Sequence, residues 1–334
     1  MKIKNKIWNI ILNIFKYLLI IIFYIYLYKI SVPYFNQLSK LIPFIEGNNV
    51  DSIFIIITIL LMIPNWLIES IKWQEAISPI EKISLSTSIK GILKGIPPST
   101  FTPNRIGETI GRPSVLTKGN KIEGGIATAY CGISQMPVML FLGFIASLWF
   151  YFKQINFFNA EFLTSIIFII ICFCSTIITL LIFFKPEWLI PFIKTKNLSN
   201  KYLSKLLFFN KYTFQNRKKI ILLSILRFLV YCIQNYLLLL AFKINIEIID
   251  GLCCIFLIYI TMSFIPRPAL AELGVRCSIS VIILQPYTEN ITLPATSSAL
   301  LWIINIFIPC LIGTTIYIIP KIKKISKKFF FDKK

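Results

Sequence analysis

The 334-residue chain contains no histidine. That absence excludes Ser-His-Asp and Cys-His nucleophilic chemistry and any histidine-ligated metal site. Acid is scarce as well: 14 Asp and Glu stand against 35 Lys and Arg, for a net charge of +21. Asp-rich metal motifs are missing, which counts against catalysis built on an oxygen-ligated divalent ion. No Gly-rich phosphate loop of the Walker type occurs, so nothing in the chain indicates an ATP motor. Eight cysteines lie in or beside apolar segments, and without histidine company they read as packing thiols rather than zinc ligands. No cofactor or metal is expected.

What is abundant is apolar sequence. Apolar residues make up 56% of the chain and the mean hydropathy is +0.76. They come in long runs, and a run of about 20 crosses a hydrocarbon core of about 30 Å as a helix. A membrane barrel would instead alternate apolar and polar residues. Six runs qualify as full spans: Ile7–Tyr28, Ser52–Ile71, Gly124–Phe152, Phe162–Phe184, Ile220–Phe242 and Ala295–Ile319. The first is 22 residues long with no small-x-small site behind it, so it reads as a retained span rather than a cleaved signal. Lys16, alone within it, reads as a snorkelling side chain.

The basic residues cluster at span ends, which points to the positive-inside rule rather than to nucleic acid. With the N-terminus in the cytoplasm, 27 Lys and Arg fall inside, against Lys29, Lys40, Lys153 and Lys243 outside. Both termini are therefore expected in the cytoplasm. The basic stretch from Lys185 to Lys219 is expected to lie against the anionic inner leaflet.

Two regions fit badly as simple spans. Gly251–Pro266 and Ala269–Pro286 are short arms around Pro266, Arg267 and Pro268. Ile83–Pro97 and Pro103–Leu116 are short arms around a Pro-rich turn, the first carrying a Gly91/Gly95 pair suited to close helix packing. Each pair of arms is a re-entrant hairpin or, at 251–286, two short crossings; the earlier pair could also lie on the cytoplasmic surface as basic helices. The order span, hairpin, span then occurs twice, over about 50–152 and about 220–320, the two units starting on opposite sides of the membrane. The expected fold class is an all-α polytopic membrane protein of one domain. It has six full spans plus two re-entrant hairpins, or eight spans, arranged as a pseudo-inverted repeat. Interrupted segments at matching places in two halves point to a binding site near mid-membrane.

Each hairpin carries Pro, Arg, Glu, Gly and Arg. In TPNRIGETIGR (102–112) the polar residues are Arg105, Gly107, Glu108 and Arg112; in IPRPALAELGVR (265–276) they are Arg267, Glu272, Gly274 and Arg276. Glu108 and Arg112, like Glu272 and Arg276, are spaced i and i+4, which places each pair on one helix face if the segment is helical. Inside a membrane a charged side chain is costly and usually has a partner and a purpose. Paired arginines beside a helix start suit a phosphate group. A purely structural alternative is that Arg and Glu lock two helices at the cytoplasmic edge. Two of the spans carry polar stripes: Asn65, Glu69 and Lys72 in one, Arg227, Tyr231 and Gln234 in another, each at i, i+4 and i+7. Such stripes face a bundle interior or a wet cavity, although Glu69 and Lys72 could mark an interface and Arg227 could snorkel.

These motifs, with NWLIESIKW (65–73) and LRFLVYCIQ (226–234), resemble the transmembrane region of bacterial lysylphosphatidylglycerol synthases, also called flippase-like membrane proteins. The resemblance implies a helical fold with re-entrant elements in the bacterial cytoplasmic membrane. It also implies a part in moving lipids or lipid-linked molecules between leaflets. By match, Arg105, Gly107, Glu108 and Arg112 form one polar site and Glu272, Gly274 and Arg276 a second. Many members carry a glutamate after Gly-Val-Arg, where this chain has Cys277. The chain runs into the basic stretch KIKKISKKFFFDKK, so the soluble aminoacyl-transferring activity of two-domain members is not expected here. The expected function is thus non-enzymatic binding and translocation of a phospholipid or lipid-linked headgroup. Asn65, Glu69, Arg227 and Gln234 join the hairpin residues in that site. The alternatives are a membrane enzyme on lipid-linked substrates and a non-catalytic partner subunit.

Overall fold

A computed structural model describes residues 50–100, 102, 105–154, 162–186, 209, 211–265, 269–290 and 292–316. The expected first span at 7–28, Lys16, Arg267 and most of the 185–219 loop lie outside them. Every described regular element is helical. In chain order they are α1 Ser52–Ile77, α2 Leu85–Ser99, α3 Glu108–Gly111 followed by a 3-10 turn Arg112–Val115, α4 Lys121–Ile133 and α5 Gln135–Phe152. Next come α6 Phe162–Phe184, α7 Phe214–Ala241, α8 Ile248–Phe264, α9 Ala269–Leu284 and α10 Thr292–Trp302. The last of these continues through a π-helical turn, Ile303–Phe307, to Ile316. Among the described residues five helices are long and apolar enough to cross a membrane: 52–77, 121–152, 165–184, 214–241 and 292–316.

Helix α1 turns its chemistry inside out. Thr58, Asn65, Glu69, Ser70 and Lys72 are buried, whereas Ile53, Ile56, Leu60 and Ile63 are exposed. Helix α7 does the same, burying Arg217, Ser224, Arg227, Gln234 and Asn235 while exposing Leu222, Leu226, Leu229 and Ile233. In water this arrangement would forfeit apolar burial and desolvate polar groups at once. It is sensible only where the outside is hydrocarbon and the polar groups satisfy one another.

Local signals explain the boundaries. The apolar run of α1 ends at Ile71, but the helix continues to Ile77 because Lys72 and Trp73 are buried inside the bundle. Helix α7 starts six residues before its apolar run because Thr213 and Asn216 form a capping box. Ser84 and Asn120 cap α2 and α4 by accepting from the backbone N–H groups of Thr87 and Ile122. The span at 121–152 has a hitch at Ser134, whose hydroxyl bonds the Ser224 hydroxyl of α7 at 2.7 Å.

Helices α1 and α7 pack antiparallel along their lengths. The amide of Asp51 donates to the Ala241 carbonyl, Gln234 reaches the Thr58 carbonyl, Arg227 reaches Asn65 and Asn216 reaches Glu75. Helix α2 packs on α1 and α3, so the first arm is part of the bundle rather than loose on a surface. The second arm, whose helicity the sequence leaves open, forms only α3 and one 3-10 turn among its described residues, because Gly107 and Gly111 bring this segment directly onto the α2 backbone and Pro113 prevents α-helical continuation. The second hairpin does form two helices, α8 and α9, which pack on each other and flank α10 and α5. Val138, Phe150, Phe228, Ile255, Ile258 and Ile283 belong to the apolar core that joins α5, α7, α8 and α9.

Candidate functional site

The polar faces of α1, α7 and the first hairpin converge on Glu69. Its carboxylate lies 2.8 Å from Lys72 Nζ, 2.8 Å from Arg112 Nη1 and 2.9 Å from Arg227 Nη1. Arg112 also bridges to Glu108, and Arg105 Nε reaches the same Glu108 at 2.8 Å. The interior end is closed, with Lys72 1% and Glu69 2% exposed; Arg105, at 29%, is the accessible end. Arg227 therefore does not snorkel: it sits about 20 Å from the start of α7 at 1.5 Å per residue, tied to Glu69 and to Asn65 Oδ1 at 3.1 Å.

Glycines make this convergence possible. A Cβ on Gly95 would sit 2.6 Å from Arg112 Cγ, and one on Gly107 would collide with the Pro98 carbonyl. The first glycine gives the guanidinium its path to Glu69. The second lets the Arg105–Arg112 loop lie on the α2 backbone. Arg105 itself has φ 59°, a left-handed conformation that costs a non-glycine residue free energy. It is held there as part of a turn in which Thr102 Oγ1 accepts from the Gly107 amide at 2.6 Å.

The second hairpin contributes a smaller pair. Arg276 donates to Glu272 at 3.0 Å and to the Tyr259 hydroxyl at 3.2 Å, with its guanidinium 5.1 Å from the Tyr259 ring centroid. Tyr259 is 6.1 Å, centroid to centroid, from Tyr231, whose hydroxyl accepts from Arg227 at 3.4 Å. Arg227 also lies over the rings of Trp66 and Tyr231, at 5.4 and 5.3 Å. The two charged groups are thus linked through neighbouring aromatics, and Arg105 is within electrostatic range of Glu272 and Tyr231. Among the described residues three buried guanidinium nitrogens lack a hydrogen-bond partner: Arg105 Nη2, Arg112 Nε and Arg276 Nε.

Behind the charges lies an amide cluster. Asn65 donates to Gln234 Oε1 at 3.2 Å, Asn305 donates to the same oxygen at 3.1 Å, and Gln234 donates to the Thr58 carbonyl at 2.9 Å. Sequence reasoning finds Asn65 and Gln234 but not Asn305, which sits on the π-helical turn of α10. Its signal is a single amide in the apolar run LWIINIFIPC. Tyr259 gives no signal, because a tyrosine in an apolar helix is ordinary.

Of the expected site residues, Asn65, Glu69, Arg105, Glu108, Arg112, Arg227, Glu272 and Arg276 line this connected system, with Gln234 behind it. Gly107 is a spacer rather than a contact. Gly274 does not belong: it is exposed, on the face of α9 opposite the buried Glu272 and Arg276, and a Cβ there would meet nothing within 4 Å. Arg267 lies outside the described residues. A groove of about 400 Å³ lies elsewhere, between α5 and α8, lined by Ile145, Trp149, Phe152, Leu252 and Phe256 among others. Beside it, Asp250 accepts from Trp149, Lys153 and Tyr287 at 2.8 to 3.0 Å. No group of His, Cys, Asp or Glu among the described residues could hold a metal ion.

The polar-inside helices, the short hairpins and the two Arg–Glu motifs lie within residues 13–313, which match the family described as the lysylphosphatidylglycerol synthase TM region. The chain belongs to that family. Membership makes it a multi-pass membrane protein associated with lipid modification or transport. No curated protein and no solved structure matches it.

Proposed function

We propose that this member is a flippase-like protein of the bacterial cytoplasmic membrane that binds a phospholipid or lipid-linked headgroup and moves it between leaflets. The observation that carries the reading is the linked cluster just described. It has guanidinium donors without a hydrogen-bond partner among the described residues, and it is drawn from both hairpins into a bundle whose outer faces are apolar. A phosphate oxygen is the acceptor such a fork fits, while the acyl chains stay in the surrounding hydrocarbon.

The order α1, α2, α3 with its 3-10 turn, α4–α5 parallels α7, α8, α9, α10, and the two leading helices pack antiparallel. This supports a pseudo-inverted repeat, with the site where its hairpins meet. The excess of basic residues on one side of the spans supports cytoplasmic termini. Glu108 and Glu272, the carboxylates a lipid-modifying enzyme would use as bases, are each engaged by arginine. That favours transport over chemistry.

Reconstitution with fluorescent lipids tests the reading. Single replacements Arg105→Gln, Glu108→Gln, Glu272→Gln and Arg276→Gln are expected to slow leaflet exchange. Exchange at the parental rate in all four properly folded variants would remove the site.

A further inference from the structure

The charges of the linked cluster do not balance. Among the described residues, Lys72, Arg105, Arg112, Arg227 and Arg276 are five cations of the cluster and Glu69, Glu108 and Glu272 its three carboxylates. Two positive charges are left over. Arginine does not lose its proton in proteins, so the surplus cannot be discharged by titration of the guanidinium groups. Neither can water screen it fully: the side chains of Arg112 and Arg276 are 4% and 7% exposed, and each keeps a buried Nε without a partner among the described residues. A buried surplus of one sign, with hydrogen-bond donors unused, is a binding potential for the opposite charge.

Resting on the lipid-headgroup reading above, we infer that the site selects by charge and takes a doubly negative phosphate group, a phosphomonoester or a diphosphate, in preference to other headgroups. A dianion cancels the surplus. A phosphodiester cancels half of it. A zwitterionic headgroup brings no net charge and must find room for its own cation beside Arg105 and Arg276. An aminoacylated, cationic headgroup adds to the surplus and is rejected. Position supports this ordering. Arg105 is the most exposed of these five cations, so it meets an entering headgroup first, with its unused Nη2 on the buried side. Tyr231 and Tyr259, whose hydroxyls accept from Arg227 and Arg276 and whose rings lie 6.1 Å apart, place the two arginine groups side by side.

The test is a titration of the full-length protein in neutral detergent at about pH 8, where a phosphomonoester is doubly charged. Short-chain phosphatidate, phosphatidylglycerol, phosphatidylcholine and lysyl-phosphatidylglycerol are compared by ligand-induced thermal stabilisation, with inorganic phosphate as a further arm. Phosphatidate is expected to bind about tenfold or more tighter than phosphatidylglycerol, and the zwitterionic and cationic lipids more weakly still. Arg105→Gln is expected to shrink the phosphatidate advantage by about tenfold, and Arg105→Lys, which keeps the charge, to retain it. Equal affinity for phosphatidate and phosphatidylcholine, or an unchanged ratio in Arg105→Gln, overturns the charge rule while the lipid reading stands. Inorganic phosphate binding as tightly as phosphatidate overturns the lipid reading and leaves the charge rule. No stabilisation by any of them overturns both.

Discussion

Glu69 is the residue on which the first charged group depends, and replacing it by glutamine tests that directly. The change is nearly isosteric, so no cavity opens. What disappears is one negative charge in contact with Lys72, Arg112 and Arg227. The three cations are not equally dependent on it. Arg112 keeps Glu108, and Arg227 keeps the Asn65 amide oxygen and the Tyr231 hydroxyl. Lys72 is 1% exposed and keeps no other ion-pair partner among the described residues. Stranding one partner of a buried ion pair costs roughly 3–5 kcal/mol, a large share of a typical stability of about 5–15 kcal/mol. Most of that cost should come from Lys72. Glu69→Gln is therefore expected to lower the unfolding free energy by about 3–5 kcal/mol, and the double variant Glu69→Gln/Lys72→Met to regain at least about 1 kcal/mol of it, because the stranded ammonium is gone. Reversible unfolding in mixed micelles measures both. A double variant no more stable than Glu69→Gln alone would show that Lys72 is solvated or otherwise compensated, and would refute the hub.

Glycine replacements separate close packing from sequence likeness. Gly95→Ala, with its Cβ 2.6 Å from Arg112 Cγ, is expected to cost about 1–3 kcal/mol, whereas Gly274→Ala, with nothing within 4 Å, is expected to be neutral or slightly stabilising; chemical unfolding of both ranks them. Asn305→Leu leaves Gln234 Oε1 with one fewer donor in a buried amide cluster and is expected to cost about 1–3 kcal/mol, read as a lower thermal midpoint. At the turn after α1, Glu81 accepts from the amides of Gly119, Thr117 and Lys118, and these bonds, that from Gly119 foremost, lower its pKa below the ordinary 4.5. Its contribution to stability is then present above about pH 4.5 and lost as pH falls through the folded-state value. The midpoint gap between the parent and Glu81→Gln is expected to be constant near neutrality and to close in acid; a gap unchanged down to strongly acidic pH would refute the assignment.

The membrane class, five of the spans and most of the charged site are legible in the sequence because lone charges in apolar runs are informative by their cost. Glu69, Arg227, Arg112 and Arg276 stand out for that reason. Boundaries are less legible: the buried Lys72–Trp73 segment extends α1 past its apolar run, and the Thr213 cap brings α7 forward of its own. Whether the second arm of the first hairpin is helical is left open by the sequence, because the decisive fact is a backbone-to-backbone contact that Gly107 and Gly111 permit and no periodicity encodes. Gly274 shows an outright error. It lies between Glu272 and Arg276 in sequence, yet it sits on the far side of α9 from that Arg–Glu pair. The two hairpins carry similar letters on different backbones. In the first, Gly107 and Gly111 seat a tight turn on α2, and its charged side chains tie to α1 through Arg112; in the second, an ordinary helix displays one Arg–Glu pair beside Tyr259. The fold is therefore asymmetric where it is charged. Glu69 anchors Arg112 from outside the first hairpin, while Arg276 has a carboxylate only from its own helix among the described residues. Of the two, Arg276 is the arginine with less to lose by turning to a ligand, which is why its substitution should affect lipid exchange more than stability, and that of Arg112 the reverse.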